Sequence, residues 1–298
     1  MKSIRILAIL LVHLLMAIQA MAQSDPAFKL EKENGHYFLN TSVNGIGAKL
    51  MLESGVPGFM MSESFYEDHK DLLNLQVVPC HERIRYLGGM HNIKYTAQAR
   101  LRIGDAIFEG TIKIADGDHA LMIPINMFRN AADDSGITRI DLSNNELRII
   151  SRASLPSLVK DAAAMDLSYN KFGTPVVNTQ LSMDVNGLNI KLKGNFIVDM
   201  GNGSLLFLNK SQSIVESTLA DSHVTLKEAR DRNGKVVAEG LFADKLTICG
   251  RSFVDASVGV SRFPSLDECG FLGVKFFTTP AIFDFDKGKM YLTQVSGI

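Results

Sequence analysis

The chain has 298 residues, a net charge of −1, 46% apolar residues and no tryptophan. A near-neutral balance with no basic cluster interleaved with aromatics excludes a polyanion partner, so nucleic acid is not expected. The three cysteines form no CxxC pair and the seven histidines are scattered without an HExxH; this excludes the spacing of zinc sites, and neither a metal nor a cofactor is expected.

The first element reads as a processing signal. Lys2 and Arg5 precede an apolar run from Ile6 to Ile18, and Ala20-Met21-Ala22 offers a small-x-small cleavage site before Gln23. Residues 1–22 are expected to direct export and to be removed. The run is shorter than the roughly 20 residues of a membrane helix, no cysteine follows the site to carry a lipid anchor, and no later run is long enough to span. The expected product is periplasmic or secreted, with no membrane span left after cleavage. Export permits disulfides. Cys249 and Cys269 flank a predicted strand pair and either bridge or stay free, with Cys80 left over.

From Phe28 to Met61 the pattern is that of strands: alternation through Tyr37, Leu39, Thr41 and Val43, then an Asn44-Gly45 turn. Lys49–Met61 (KLMLESGVPGFMM) runs an apolar strand into Glu53, followed by Ser54, Gly55, Gly58 and a second apolar run. Ser62–Leu75 opens with a capping serine and Glu63, and predicts a short helix. Arg83–Thr96 predicts a hairpin with Gly88-Gly89 at its tip. IDLSNNEL at Ile140 and MDLSYNKF at Met165 look like leucine-rich repeats, but two units cannot close a solenoid core. Ser151–Ala164, broken by Pro156, predicts a connection between two halves. Phe196–Leu208 (FIVDMGNGSLLFL) then repeats the earlier motif: an apolar strand into Asp199, Met200, Gly201 and Gly203, and a second apolar run.

The two acidic turns belong to a longer repeat. Val43-Asn44-Gly45 recurs as Val185-Asn186-Gly187, Glu53 as Asp199, Leu101/Ile103/Phe108 as Leu246/Ile248/Phe253, and Ile140-Asp141-Leu142 as Phe283-Asp284-Phe285, all at offsets of 142 to 146 residues. Anchors in one order at a nearly constant offset imply an internal duplication in which each half offers one carboxylate beside glycine-freed backbone N–H groups.

That layout resembles the bilobed aspartic peptidases of the pepsin/retropepsin family, in which a strand leads into Asp-Thr/Ser-Gly in each lobe. The tail Phe271–Phe277 (FLGVKFF), with Ile282–Leu292 (IFDFDKGKMYL), is similar to the family's closing segment. The resemblance implies a mainly β fold of two similar β-barrel lobes with a cleft between them: 23–151 as the N-terminal lobe, 152–171 as the connection and 172–298 as the C-terminal lobe. It also implies that Glu53 and Asp199 are the catalytic dyad positions and that Ser54, Gly55, Met200 and Gly201 support the paired turns. The hairpin with Tyr86, Gly88 and Gly89 is either a substrate-covering flap or an ordinary surface hairpin.

Such chemistry needs two carboxyls sharing one proton, one activating a water and the other donating to the scissile carbonyl. Three departures bear on it. Glu53 sets its carboxyl about 1.5 Å further out than Asp, Met200 lacks the turn hydroxyl, and Ile123-Pro124-Ile125 stands where the family carries glycine, whereas Gly273 is kept in the second half. The expected function is an exported protein that binds an extended peptide or protein segment in the interlobe cleft with proteolysis weak or lost. The alternative is an active endopeptidase with a Glu53/Asp199 dyad. Oligomeric state is not legible.

Overall fold

The computed structural model describes residues 25–56, 58–86, 89–130, 136–230, 232–234 and 236–293. The expected leader, 1–22, lies outside them. In the first half, β1 (Ala27–Glu33), β2 (His36–Val43) and β3 (Ile46–Glu53) form an antiparallel meander. Its turns are Asn34-Gly35 and Asn44-Gly45, all four residues at positive φ, as the two-residue hairpin turns compatible with strand twist require. The strands β4 (Phe59–Ser62), β5 (Val78–Pro79), β6 (Arg83–Tyr86), β7 (Gly89–Ile103), β8 (Ala106–Ala115) and β9 (Leu121–Pro124) complete the barrel. Helix α1 (Glu63–Leu73) begins where expected: the Ser62 hydroxyl accepts the Phe65 N–H at 3.2 Å, and left-handed Asn74 ends it.

A 3₁₀ turn leads to β10 (Ile137–Asp141) and β11 (Glu146–Ile149), then come the short helix α2 (Leu155–Leu158) and β12 (Ala163–Tyr169). The 152–171 stretch is therefore more than a connection, because β12 is a paired strand within it. The second half continues with β13 (Pro175–Val185), β14 (Leu188–Val198), β15 (Leu206–Asn209), α3 (Ser213–Asp221), β16 (Lys227–Arg230), β17 (Val236–Ile248), β18 (Arg251–Ser261), β19 (Gly270–Leu272), β20 (Ala281–Asp284) and β21 (Lys289–Leu292).

The halves repeat one pairing pattern. β3 runs parallel to β9, while β4 is antiparallel to β9 and parallel to β8. In the second half, β14 is parallel to β19, and β15 is antiparallel to β19 and parallel to β18. Each acidic turn thus lies at the end of an inner strand wedged beside a parallel neighbour. Such strands are covered on both faces and read as continuous apolar runs, which is why Leu50, Met51 and Leu52, like Phe196, Ile197 and Val198, are all buried.

A six-stranded antiparallel sheet, in the order β1-β11-β10-β20-β21-β12, joins the halves. Its middle pair matches Thr138 with Phe283 and Ile140 with Ala281, a register that is preserved when Asp141 and its counterpart Asp284 are exchanged. β1 passes on to β2 in one barrel and β12 to β13 in the other. One apolar core runs through both halves, and a smaller cluster of Met51, Val56, Met60, Ile84, Ile93, Ala115 and Met122 lies between the first acidic turn and the β6–β7 hairpin. The mainly β, two-lobe architecture is as expected.

Candidate active site

The central sheet and the two inner strands bring Glu53 and Asp199 together. Glu53 ends β3 opposite Pro124 of β9. Asp199 follows β14, its N–H donating to Leu272 O at 2.9 Å. Both carboxyls reach the Gly201 N–H, and burial, followed by the Glu53 charge, pushes Asp199 well above the usual carboxylate range, against the N–H groups of Gly201 and Asn202. Glu53 is 7% exposed and Asp199 is partly exposed.

The longer Glu53 arm is seated by glycines. Glu53 Oε1 accepts the N–H groups of Ser54 at 2.7 Å, Gly55 at 2.6 Å and Gly201 at 3.3 Å, and the Gly201 N–H also lies 3.2 Å from Asp199 Oδ1. A Cβ built on Gly201 would lie 1.5 Å from Glu53 Oε2; one on Gly55 would lie 3.2 Å from Glu53 Oε1 and 3.3 Å from Asp199 Oδ1. The carboxylate of Glu53 therefore occupies the volume that any other residue at 201 would fill. The extra methylene is absorbed sideways and the pair is not forced apart.

Ser54 ties the halves together. Its fully buried hydroxyl donates to Val198 O at 2.6 Å and accepts the Met200 N–H at 2.8 Å. Met200 is itself buried and packs into the core, so at this crossing one hydroxyl makes both bonds. Gly273 has a local reason: a Cβ there would sit 2.3 Å from Ser204 O and 2.6 Å from Asn202 O. The segment from Gly273 to Lys275 closes on the Asp199 turn through Val274 N–H to Asn202 O at 2.7 Å and Lys275 N–H to Ser204 O at 3.1 Å. Asn202 was missed by sequence reasoning. Its backbone contacts carry no side-chain signature, and the DMGNG context was the one available hint.

β6 and β7 form the expected hairpin, with Tyr86 paired to Gly89. Gly88 lies outside the described residues, and of Tyr86 and Gly89 the structure describes the backbone. The possible Cys249–Cys269 bridge is not made: Cys80, Cys249 and Cys269 are free thiols. Cys249 Sγ turns toward Thr179 Oγ1 at 3.5 Å on β13, whereas Cys269 Sγ sits over Gly194 on β14, 2.4 Å from where a Cβ would be. Different strands hold the two sulfurs. Among the described residues no group of three or more His, Cys, Asp or Glu could hold a metal ion, and no helix is long and apolar enough to cross a membrane.

No protein-family model matches this sequence, and no curated protein does. The structure is similar to the crystal structure of basic 7S globulin from soybean, with a TM-score of 0.53 and 9% identity, over 90% of this chain and 94% of that one. At that identity the likeness speaks to the fold alone, and the fold is aspartic-peptidase-like.

Proposed function

We propose that this chain is an exported aspartic-type peptidase that takes an extended peptide between its halves and hydrolyses it slowly under acid conditions. The observation that carries this reading is the meeting of the two carboxyls at the Gly201 N–H, 3.3 Å from Glu53 Oε1 and 3.2 Å from Asp199 Oδ1, where burial and the Glu53 charge raise Asp199. In the proposed reaction, ionised Glu53 accepts a proton from a water whose oxygen attacks the scissile carbonyl carbon. Asp199 gives its proton to the carbonyl oxygen, and the resulting gem-diol collapses as Glu53 passes the proton it gained to the departing amine nitrogen, the C–N bond breaks and one gem-diol hydroxyl proton returns to Asp199. The chain's contribution is to hold two carboxyls side by side with Asp199 raised, Ser54 fixing the turns across the halves. One charged and one neutral carboxyl are required, so cleavage rises as the first proton leaves the pair and falls when the second does.

A second reading, peptide binding without turnover, is favoured by the buried Met200, which offers no hydroxyl, and by Pro124 opposite Glu53. Cleavage of a random-peptide library between about pH 3 and pH 7, a window spanning the carboxylate range, separates the two. Wild type is compared with Glu53→Gln, Asp199→Asn and Glu53→Asp. Cleavage lost in both amide variants establishes the dyad. No cleavage by wild type, with activity appearing in Glu53→Asp or Glu53→Asp/Met200→Thr, establishes a binding protein on a disabled site.

A further inference from the structure

Arg251 opens β18 and is paired with Ile248 across the Cys249-Gly250 turn. Its guanidinium has no carboxylate partner among the described residues. Three neutral oxygens accept from it instead: Phe276 O from Nη1 at 3.0 Å, Thr293 O from Nη2 at 3.3 Å, and Thr279 Oγ1 from Nη2. The centre of the Phe276 ring lies 5.4 Å from Cζ. Thr279 Oγ1 also donates to Thr293 O at 2.9 Å, and Thr293 Oγ1 to Pro280 O at 3.0 Å. One cation thus joins the β17–β18 turn, the segment after β19 and the residue that follows β21. Burial pushes Arg251 down to about 10, and a cation withdrawn from water without a counter-charge is costly unless hydrogen bonds replace its hydration.

The fold does not require such a residue. In the first half Ala106 occupies the same place, opposite Ile103 as Arg251 is opposite Ile248. The ring contact beside it is repeated: Phe108 meets Phe128 at 5.4 Å, and Phe253 meets Phe276 at 6.0 Å. What differs is the residue next to the acid. Pro124 stands opposite Glu53, and its ring restricts the backbone just before the 3₁₀ turn Ile125–Asn130. In the second half Leu272 O takes the Asp199 N–H, and Gly273 leads into the 3₁₀ turn Val274–Phe276. Glycine permits the close approach to the Asp199 turn but loses more conformational freedom than any other residue on being fixed. Arg251 grips the far end of that segment. The Phe276 N–H donates back to Gly273 O at 3.0 Å, while the Phe276 carbonyl is the one held by Nη1.

We propose that Arg251 is a positioning residue for Asp199. By holding Phe276 O and Thr279 it fixes the far end of the closing segment, so that the near end, Gly273–Lys275, keeps the Asp199 turn where its carboxyl meets Glu53. Val274 and Lys275 transmit the hold through their N–H groups on Asn202 O and Ser204 O. The first half obtains the same restraint from the proline ring at 124 and needs no cation. This role rests on the reading of Asp199 as a working carboxyl.

The test uses the full chain. Arg251→Met keeps an apolar stem against Phe276 and removes every donor; Thr279→Val removes one acceptor and leaves the cation in place. Hydrogen exchange at the Val274 and Lys275 amides and carboxyl-carbon NMR titration of Asp199 are read in the folded proteins, with turnover beside them. Arg251→Met should lose about tenfold or more in protection at both amides, and Asp199 should move back toward the ordinary carboxylate range. The matching loss of about tenfold or more in turnover should fall on kcat rather than KM. Arg251→Lys, which retains a charged donor, should recover part of each. Thr279→Val should shift the same readouts in the same direction by less, and it decides the matter if Arg251→Met does not fold. Unchanged protection and an unchanged Asp199 titration in a folded variant overturn the proposal. So does a lower melting temperature with Asp199 unmoved, which marks a structural tie only. A wild type that cleaves nothing refutes the peptidase reading, while the amides and the Asp199 titration still decide what Arg251 does.

Discussion

Gly201→Ala probes the seat of Glu53 directly. The new Cβ would stand 1.5 Å from Oε2, 2.4 Å from Cδ and 3.0 Å from Oε1, while ordinary contact begins at 3.4 Å. The carboxylate must therefore retreat by about 2 Å, twice the roughly 1 Å misplacement that costs about a hundredfold in rate. Retreat takes Oε1 off the Ser54 and Gly55 N–H groups and away from Asp199. The expected loss in kcat/KM is at least about a hundredfold, or about 2.7 kcal/mol in barrier height. A readout independent of turnover is carboxyl-carbon NMR titration, in which Asp199 should move back toward the ordinary range as the Glu53 charge recedes. Gly201 does not occupy the left-handed region, so the alanine carries no backbone strain and global stability should change little. In a Glu53→Asp background the carboxyl is already withdrawn by about 1.5 Å, and the same alanine should cost markedly less. Equal losses in the two backgrounds would refute the seating argument.

Asp199 is raised, so its contribution to stability is complete below the unfolded aspartate value and is lost as pH rises through the folded one. The melting temperature should fall on the alkaline side of that value, and Asp199→Asn should flatten the profile. Ser54→Ala removes two buried bonds and strands the Met200 N–H; calorimetry should show a loss of about 1–3 kcal/mol. Gly273→Ala drives a Cβ into two backbone carbonyls of the Asp199 turn, and denaturant unfolding should register a loss of about 1–3 kcal/mol or more. Thiol titration of the denatured, unreduced protein should count all three cysteines; a count of one would mean that Cys249 and Cys269 bridge.

Much of the architecture is local chemistry and was legible in one dimension. Asn-Gly pairs mark turns that need positive φ, a serine before Glu63 caps a helix, and unbroken apolar runs mark strands buried on both faces. The recurrence of these signals at one offset separated the chain into two halves and singled out Glu53 and Asp199, because a carboxylate at the end of an inner strand is conspicuous even without coordinates. Tertiary structure alone decided how the carboxyls meet. Glutamate in place of aspartate looked like a displacement of the site. In the folded chain the extra methylene is taken up in the space above Gly201, a residue 148 positions away. The sequence left open whether Cys249 and Cys269 bridge; in the folded chain their sulfurs lie against Thr179 and Gly194. The hold of Arg251 on Phe276, Thr279 and Thr293 had no sequence signature, since its acceptors lie 25 to 42 residues further along the chain. Propensity and periodicity act between near neighbours in the chain, whereas side-chain volume, charge pairing and steric allowance act between whatever the fold brings within a few ångströms.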